Sequence, residues 1–360
     1  MIQWRRGVVA AVHHPWAGVA EVEVETAEGR LPALAYVDVV GDPAVGDAAL
    51  LNTTALALGL GTGGYAVVVA LPDRLPPDVD PPGHLVKARY TPLQVCVRGA
   101  DEQDGPWHEA LRDADDLAGL PVVVADLHSA LPAVLSGLLA DRPAARAVYV
   151  CTDGAALPLA FSRTVAGLAE AGWLAGTVTT GQAYGGDVEA VSLHTGLLAA
   201  RLVLGADVAV VAQGPGNLGT GTRFGFSGVA AGEAVNAAGV LGGRPVATLR
   251  VSGADQRPRH RGVSHHALTA YGRVALVPAD VAVPRLSDEL ADLGALVSRQ
   301  AAALGERHRL VPVDVAGLLE HLRACPVPLS TMGRGLDEDP AAFLAAAAAG
   351  RHAAALVGGP

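Results

Sequence analysis

The chain is poor in several things a reader would look for first. Its 360 residues hold one lysine (Lys87), one isoleucine (Ile2), three asparagines and four phenylalanines, and only 17% of them are charged. Alanine, glycine, valine and arginine stand in their place, the imprint of a GC-rich coding sequence. Cysteine is scarce too: Cys96, Cys151 and Cys325 are odd in number and far apart, with no C-x-x-C pair. That excludes a disulfide framework and a thiolate zinc site. Positive charge is in deficit, with 26 Lys+Arg against 36 Asp+Glu, a formal net charge of −10. Non-specific attraction to nucleic acid or to an anionic membrane is therefore not expected. The longest uncharged stretch, Ala48 to Pro72, is broken by Asn52, Thr53, Thr54 and several glycines, so it predicts two short strands rather than a membrane span. The start lacks the apolar length of an export signal. A soluble, cytoplasmic protein is the expectation.

What is present is apolar: 51% of the chain is hydrophobic and the mean hydropathy is +0.34, enough for a large core. Residues 1–95 predict a small all-β, barrel-like domain. Val19-Ala-Glu21-Val22-Glu23-Val24-Glu25 alternates with the period of a strand that has one wet face. Turn signals follow at Glu28-Gly29, Gly41-Asp42-Pro43, Gly46-Asp47 and Gly61-Thr62-Gly63-Gly64. Residues 96–120 read as a polar linker.

From Pro121 to about 285 the rhythm is strand, loop, helix. Apolar runs at 121–125, 147–151, 176–179, 207–212 and 246–251 predict buried parallel strands. Helices are expected from Leu157, with Pro158 in the first turn, from Asp187 as a cap toward Leu204, and from Ser227 to Leu241. Short alternating connections imply a doubly wound α/β sheet, mostly parallel, with helices on both faces. Residues 286–360 predict a helical C-terminal extension with one further strand at 310–313.

The segments that follow the strands are polar and glycine-rich: Asp126-Leu-His128-Ser129, Thr152-Asp153-Gly154, Thr180 to Asp187, Gln213 to Thr222, and Ser252 to Arg257. The returns that precede strands are plain. Ligands of open parallel sheets bind beyond the carboxyl ends of the strands, so this asymmetry marks the candidate site. Gly214-Pro-Gly216-Asn217-Leu-Gly219 formally matches G-x-G-x-x-G. It follows the fourth of those strands, and no ribose-binding acid comes after the next one, so a nicotinamide cofactor is not expected. A turn chosen for packing and a loop cradling an anion with its amides are equally compatible with it.

The densest polar cluster is Arg250 to His266, which packs four arginines and three histidines into seventeen residues. Arginine forks suit phosphate or carboxylate oxygens, so Arg257, Arg259 and Arg261 are candidate anion ligands. His260 and His265 could carry a proton near neutral pH, with Asp153 or Asp187 orienting them or holding a divalent ion. The histidine spacing matches no metal motif, and His265 and His266 cannot both point one way on a strand, so the metal ligands are left unassigned. Lys87 and His128 complete the candidate ligand set. A helix cap for either aspartate, a satisfied loop role for His128 and a solvated loop for the arginines are the plain alternatives.

Several of these strings together resemble an uncharacterised bacterial family, domain-of-unknown-function family 3866. They are Leu51-Asn52-Thr53-Thr54, Lys87-Ala-Arg89-Tyr90-Thr91-Pro92-Leu93-Gln94, Thr152-Asp153-Gly154, Gly185-Gly186-Asp187-Val-Glu189, Gly219-Thr220-Gly221-Thr222 and Arg259-His260-Arg261-Gly262-Val263-Ser264-His265-His266. The resemblance spans essentially the full length and implies shared structure, but no activity. Where the resemblance would put an aromatic before Ala254, this chain has Gly253. The functional expectation is an enzyme acting on a small anionic, phosphorylated or nucleotide-like molecule at the strand-end rim. The alternative is a non-catalytic metabolite sensor or partner-binding protein using the same rim, and a homo-oligomer is allowed by either.

Overall fold

A computed structural model describes residues 2–60 and 63–358. It divides into two compact units, one of residues 1–97 with 160–166, the other of 98–159 with 167–360.

The first unit is a closed five-stranded barrel of β1 (Trp4–Trp16), β2 (Val19–Thr26), β3 (Gly29–Tyr36), β4 (Ala48–Asn52) and β5 (Ala66–Ala70). Short helices α1 (Val37–Val40) and α2 (Thr54–Ala57) lie between strands. Closure runs β1-β2-β3-β5-β4 and back to β1, with β3 and β5 parallel, the strand order of OB-type barrels. The alternation of β2 decides its facing: Val22 and Val24 are in the core with Ala33, Leu51 and Val68. Glu23 and Glu25 face outward, where Arg30 bridges them at 2.9 and 2.6 Å. Of the four expected turns, Gly61 and Thr62 lie outside the described residues. The hairpin β6 (Leu85–Lys87) and β7 (Val95–Val97) also belongs to this unit. Lys87 is fully buried there.

The second unit begins with α3 (His108–Leu111) and is built on an eight-stranded, wholly parallel sheet. Its strands are β8 (Pro121–Val124), β9 (Ala147–Thr152), β10 (Gly176–Thr179), β11 (Val188–Glu189), β12 (Val208–Gln213) and β13 (Arg244–Thr248). A small antiparallel pair, β14 (Val251–Ser252) and β15 (Gly262–Val263), precedes the last two, β16 (Asp280–Arg285) and β17 (Arg309–Asp314). The order is β11-β10-β9-β12-β8-β13-β16-β17. The helices are α4 (Leu131–Asp141), α6 (Leu193–Leu202), α7 (Ala230–Val240), α8 (His265–Thr269), α9 (Ala291–Ala301), α10 (Leu318–Arg323) and α11 (Pro340–Leu356), while α5 (Arg163–Glu170) is divided between the two units at residue 166. A two-stranded turn, β18 (Ser330–Thr331) and β19 (Arg334–Gly335), precedes α11. No helix among the described residues is long and apolar enough to cross a membrane.

The apolar runs form the central strands because both faces are covered: β8, β9 and β12 are buried along almost their whole length. On one face α4 and α11 pack together, with α11 also against β8, β13 and β16; on the other α6 packs with α7. The contact of α4 with α11 is backbone on backbone. A side chain added at Gly137 would collide with the carbonyl of Ala347, and one at Gly350 with that of Val134.

Three local expectations are corrected. The helix expected from Leu157 begins only at Arg163, because Leu157 and Leu159 exchange backbone hydrogen bonds with Tyr184 across two loops. Helix α6 is capped by Ser192, whose hydroxyl accepts from the Thr195 amide, and not by Asp187. The run 246–251 is the end of β13 followed by the start of the separate β14. Residues 286–356 supply the sheet's edge strand β17 and the core helix α11.

Candidate functional site at the carboxyl ends of the strands

The chain leaves β8 through α4 and leaves β12 through α7, helices that belong to opposite layers. Where neighbouring strands send their connections to opposite faces, a crevice opens beyond their carboxyl ends. Three neighbours, β12, β8 and β13, end here in buried polar residues: Gln213, then Asp126 two residues past β8, then Thr248. One atom of each has no hydrogen-bond partner among the described residues, namely Gln213 Oε1, Asp126 Oδ2 and Thr248 Oγ1. A buried polar atom without a partner costs roughly 1–3 kcal/mol, and three on adjacent strand ends is a concentration that packing alone does not call for.

A cleft of about 40 Å³ opens at this point, lined by Asp126, Arg250, Asp255, His260, Arg334 and Asp339 among others. Its acids are largely engaged. Asp339 accepts from the Ser252 hydroxyl, from the Gly253 amide at 2.9 Å and from Arg334 Nε at 3.3 Å. Asp255 holds Arg257 in a two-point fork at 2.9 and 2.7 Å, and that fork keeps its carboxyl far below the usual range. Asp126 is different: burial raises its pKa, and Arg250 Nη1, at 3.7 Å, offsets this only in part. At that volume the cleft holds a few waters, at about 10–15 Å³ each, not a metabolite.

Beside it runs a larger groove of about 780 Å³, lined by Arg223, Arg259, Arg273, Arg307, His265 and Glu306 among others. Four arginines face one acid there, in a chain whose net charge is −10. Arg223, Arg259 and Arg273 form no ion pair among the described residues, and Arg307 donates to the Ala275 carbonyl at 2.6 Å. The groove falls in the size range of small-molecule sites, roughly 300–1,000 Å³.

Between cleft and groove stand His260, His265 and His266. The chain turns back through β14 and β15, and Ser264 then caps α8, accepting from the His266 amide. That reversal brings the three rings within 4.3–5.0 Å, centroid to centroid. Phe226 stacks flat on His266 at 3.8 Å. Burial first, then the charge of Arg250, lowers the pKa of His260 to about 4 and of His266 to about 3. His265 is lowered by burial and then by Arg259. Burial and the neighbouring guanidinium charges thus favour the neutral form of all three rings.

The family described as Protein of unknown function (DUF3866) matches residues 32–350. The chain belongs to DUF3866. No curated protein and no solved structure matches it.

In this DUF3866 protein the structure brings together His260, His265 and Arg259 of the predicted residues, and sets others apart. Arg257 is occupied by Asp255, and Arg261 is exposed, with its carbonyl accepting from Gln300. Asp153 follows β9 and accepts from the Gln182 amide at 2.8 Å. Asp187 stands at the opposite rim: it precedes β11 and holds the amide and hydroxyl of Thr177 at the start of β10, both at 2.8 Å. It is a structural clamp there, because β11 runs parallel to β10 and residue 187 therefore lies where both strands begin.

His128 lies against the Tyr149 hydroxyl at 3.1 Å, and burial lowers its pKa to about 4. The glycine loop is tied into its own lobe. The Gly214 backbone closes on Ala156, Gly216 turns with φ +102°, Gly219 bridges Phe226, and Asn217 Oδ1 accepts from Gln213 and Ser227. The Leu218 amide donates to Ser227 Oγ, so that amide is engaged within the loop. A side chain at Gly253 would press on Leu293 at 2.9 Å. Sequence reasoning missed Arg223, Arg273 and Arg307, which are scattered along the chain; Asp126 and Gln213, read only as parts of strand-end segments, carried no individual signal, and Thr248 was read as lying within a strand.

Proposed function

We propose that the protein binds a small anionic molecule, phosphorylated or nucleotide-like, at the carboxyl rim of its α/β unit, and acts on it as an enzyme. The observation that carries this is the arginine groove: Arg223, Arg259, Arg273 and Arg307 around one space of about 780 Å³ with Glu306 as the opposing acid. Guanidinium groups bind phosphate oxygens in two-point geometry and do so best where several converge. His265 at the groove wall and His260 behind it are the groups that would handle a proton or a bound ion; the buried atoms of Asp126, Gln213 and Thr248 that make no hydrogen bond among the described residues would meet a polar part of the ligand or its water.

One observation favours a second reading, a non-catalytic sensor. The hydrogen bonds of His260 and His266 run to Ser264 and Arg250, and neither of these partners is a carboxylate. A general base oriented by an acid would have made the catalytic reading stronger.

The test is calorimetry with inorganic pyrophosphate and a panel of nucleoside mono- and diphosphates, on the wild type and on Arg223→Ala/Arg273→Ala. Binding that weakens about tenfold per arginine removed, and that falls with added salt, supports the proposal. Equal binding by the double variant, or none by the wild type, refutes it. Turnover of a bound nucleotide separates the enzyme from the sensor.

A further inference from the structure

We propose that His260, His265 and His266 together bind one divalent transition-metal ion of the zinc type. One ring nitrogen from each residue lies within 4.8 Å of the other two. An ion held at 2.0–2.1 Å in tetrahedral geometry spaces its nitrogens about 3.3 Å apart, so side-chain torsions must draw the set in a little. The cluster behaves as a ligand set and not as a packed core. His265 Nε2 is buried and has no hydrogen-bond partner among the described residues, an arrangement a structural histidine avoids.

The surroundings prepare the other two rings. His260 Nδ1 lies 2.8 Å from the Ser264 hydroxyl; with the proton on that nitrogen, Nε2 presents its lone pair, the outer-shell arrangement common to metal-binding histidines. His266 is held flat by Phe226. Its Nδ1 accepts from Arg250 Nη1 at 3.0 Å, while the same Nη1 is ion-paired at 3.7 Å, beyond hydrogen-bond distance, with Asp126 Oδ2. Ligation by His266 through Nε2 requires a proton on Nδ1, so Arg250 must let go. Asp126 is positioned to receive it. Loading the site therefore settles a carboxylate oxygen that otherwise has no hydrogen bond.

The donor chemistry selects the ion. Three imidazoles without a carboxylate suit zinc, cobalt, nickel or copper, and not magnesium or calcium. Three protein ligands leave a fourth position for water or an anion, as in catalytic zinc sites. Because His265 also lines the arginine groove, an anion in the groove could fill it. Arg250 and Arg259 oppose a bare cation, so such an anion would strengthen the metal.

This inference does not depend on the anion proposal and is tested with metal alone. Protein stripped with chelator is titrated with Zn²⁺ by calorimetry and with Co²⁺ by visible absorption. The expected result is one ion per chain, with the intense ligand-field bands of four-coordinate Co²⁺. In His265→Ala, a partly exposed position, affinity should fall about 100-fold or more while circular dichroism is unchanged. His260→Gln should lose the cobalt bands as well. Failure of the wild type to bind at stoichiometric micromolar metal overturns the assignment. So does binding that survives His265→Ala, which would place the ion on surface histidines.

Discussion

The two rims of the parallel sheet are made from the same residue types and treat them in opposite ways. At the amino rim, polar groups are consumed by one another. Asp280 holds Arg309 and His352, Asp207 takes the Arg146 amide at 2.8 Å, and Asp187 clamps Thr177. At the carboxyl rim are gathered four of the five buried side-chain atoms that lack a hydrogen bond among the described residues: on Asp126, Gln213, Thr248 and His265. The first rim is complete as it stands. The second leaves polar atoms open, and a fold tolerates such unpaid groups mainly where a ligand, ion or water meets them.

That contrast can be broken at its strongest point first. Asp280→Ala should destabilise the protein by about 2 kcal/mol in urea denaturation, the low end for a half-buried ion pair because Arg309 is 63% exposed. Burial alone would raise the Asp280 pKa, but the bonds from His352 and Arg309 outweigh it and hold the value well below the ordinary one. A depressed carboxylate contributes stability above its unfolded pKa, about 3.9. The contribution is lost as pH falls below that toward the native value. The wild type should therefore lose stability more steeply than the variant below about pH 4, and parallel curves would sink the account. Next, Asp187→Ala should cost about 1 kcal/mol, as for a lost capping acceptor, and leave ligand and metal binding untouched. An effect on binding would return Asp187 to the site.

The smallest change has the opposite sign. Thr248→Val keeps the shape and removes a buried hydroxyl that has no partner, so stability should hold or rise by up to about 1 kcal/mol. Ligand affinity should fall if Thr248 Oγ1 meets the ligand. A loss of 1 kcal/mol or more in the ligand-free protein would mean that the hydroxyl is satisfied and the rim is less unfinished than it looks.

Strands were legible because periodicity and burial speak directly through residue type: β2 alternates, and β8, β9 and β12 are unbroken apolar runs. The start of α5 was not, because a backbone exchange with Tyr184 leaves no mark on the side chains of Leu157 and Leu159. The histidines were legible as a cluster but not as a ligand set. Reading 265 and 266 as strand residues set them on opposite faces, whereas the Ser264 cap turns them onto the first turn of a helix. The arginine groove was invisible, since position 223 meets 273 and 307 only through the packing of three separate connections.

The backbone contact of Gly137 with Ala347 and of Gly350 with Val134 has a consequence for how the molecule is made. A ribosome delivers β8, β13 and β16 well before residues 340–356, which share with α4 the cover of that face of the sheet. For the length of that interval the nascent chain carries an uncovered apolar surface, and α4 waits for a partner that no other segment can imitate, because only glycine permits the approach. Synthesis rate along this stretch, and the chaperones that meet it, should govern yield in the cell more than the stability of the finished protein does.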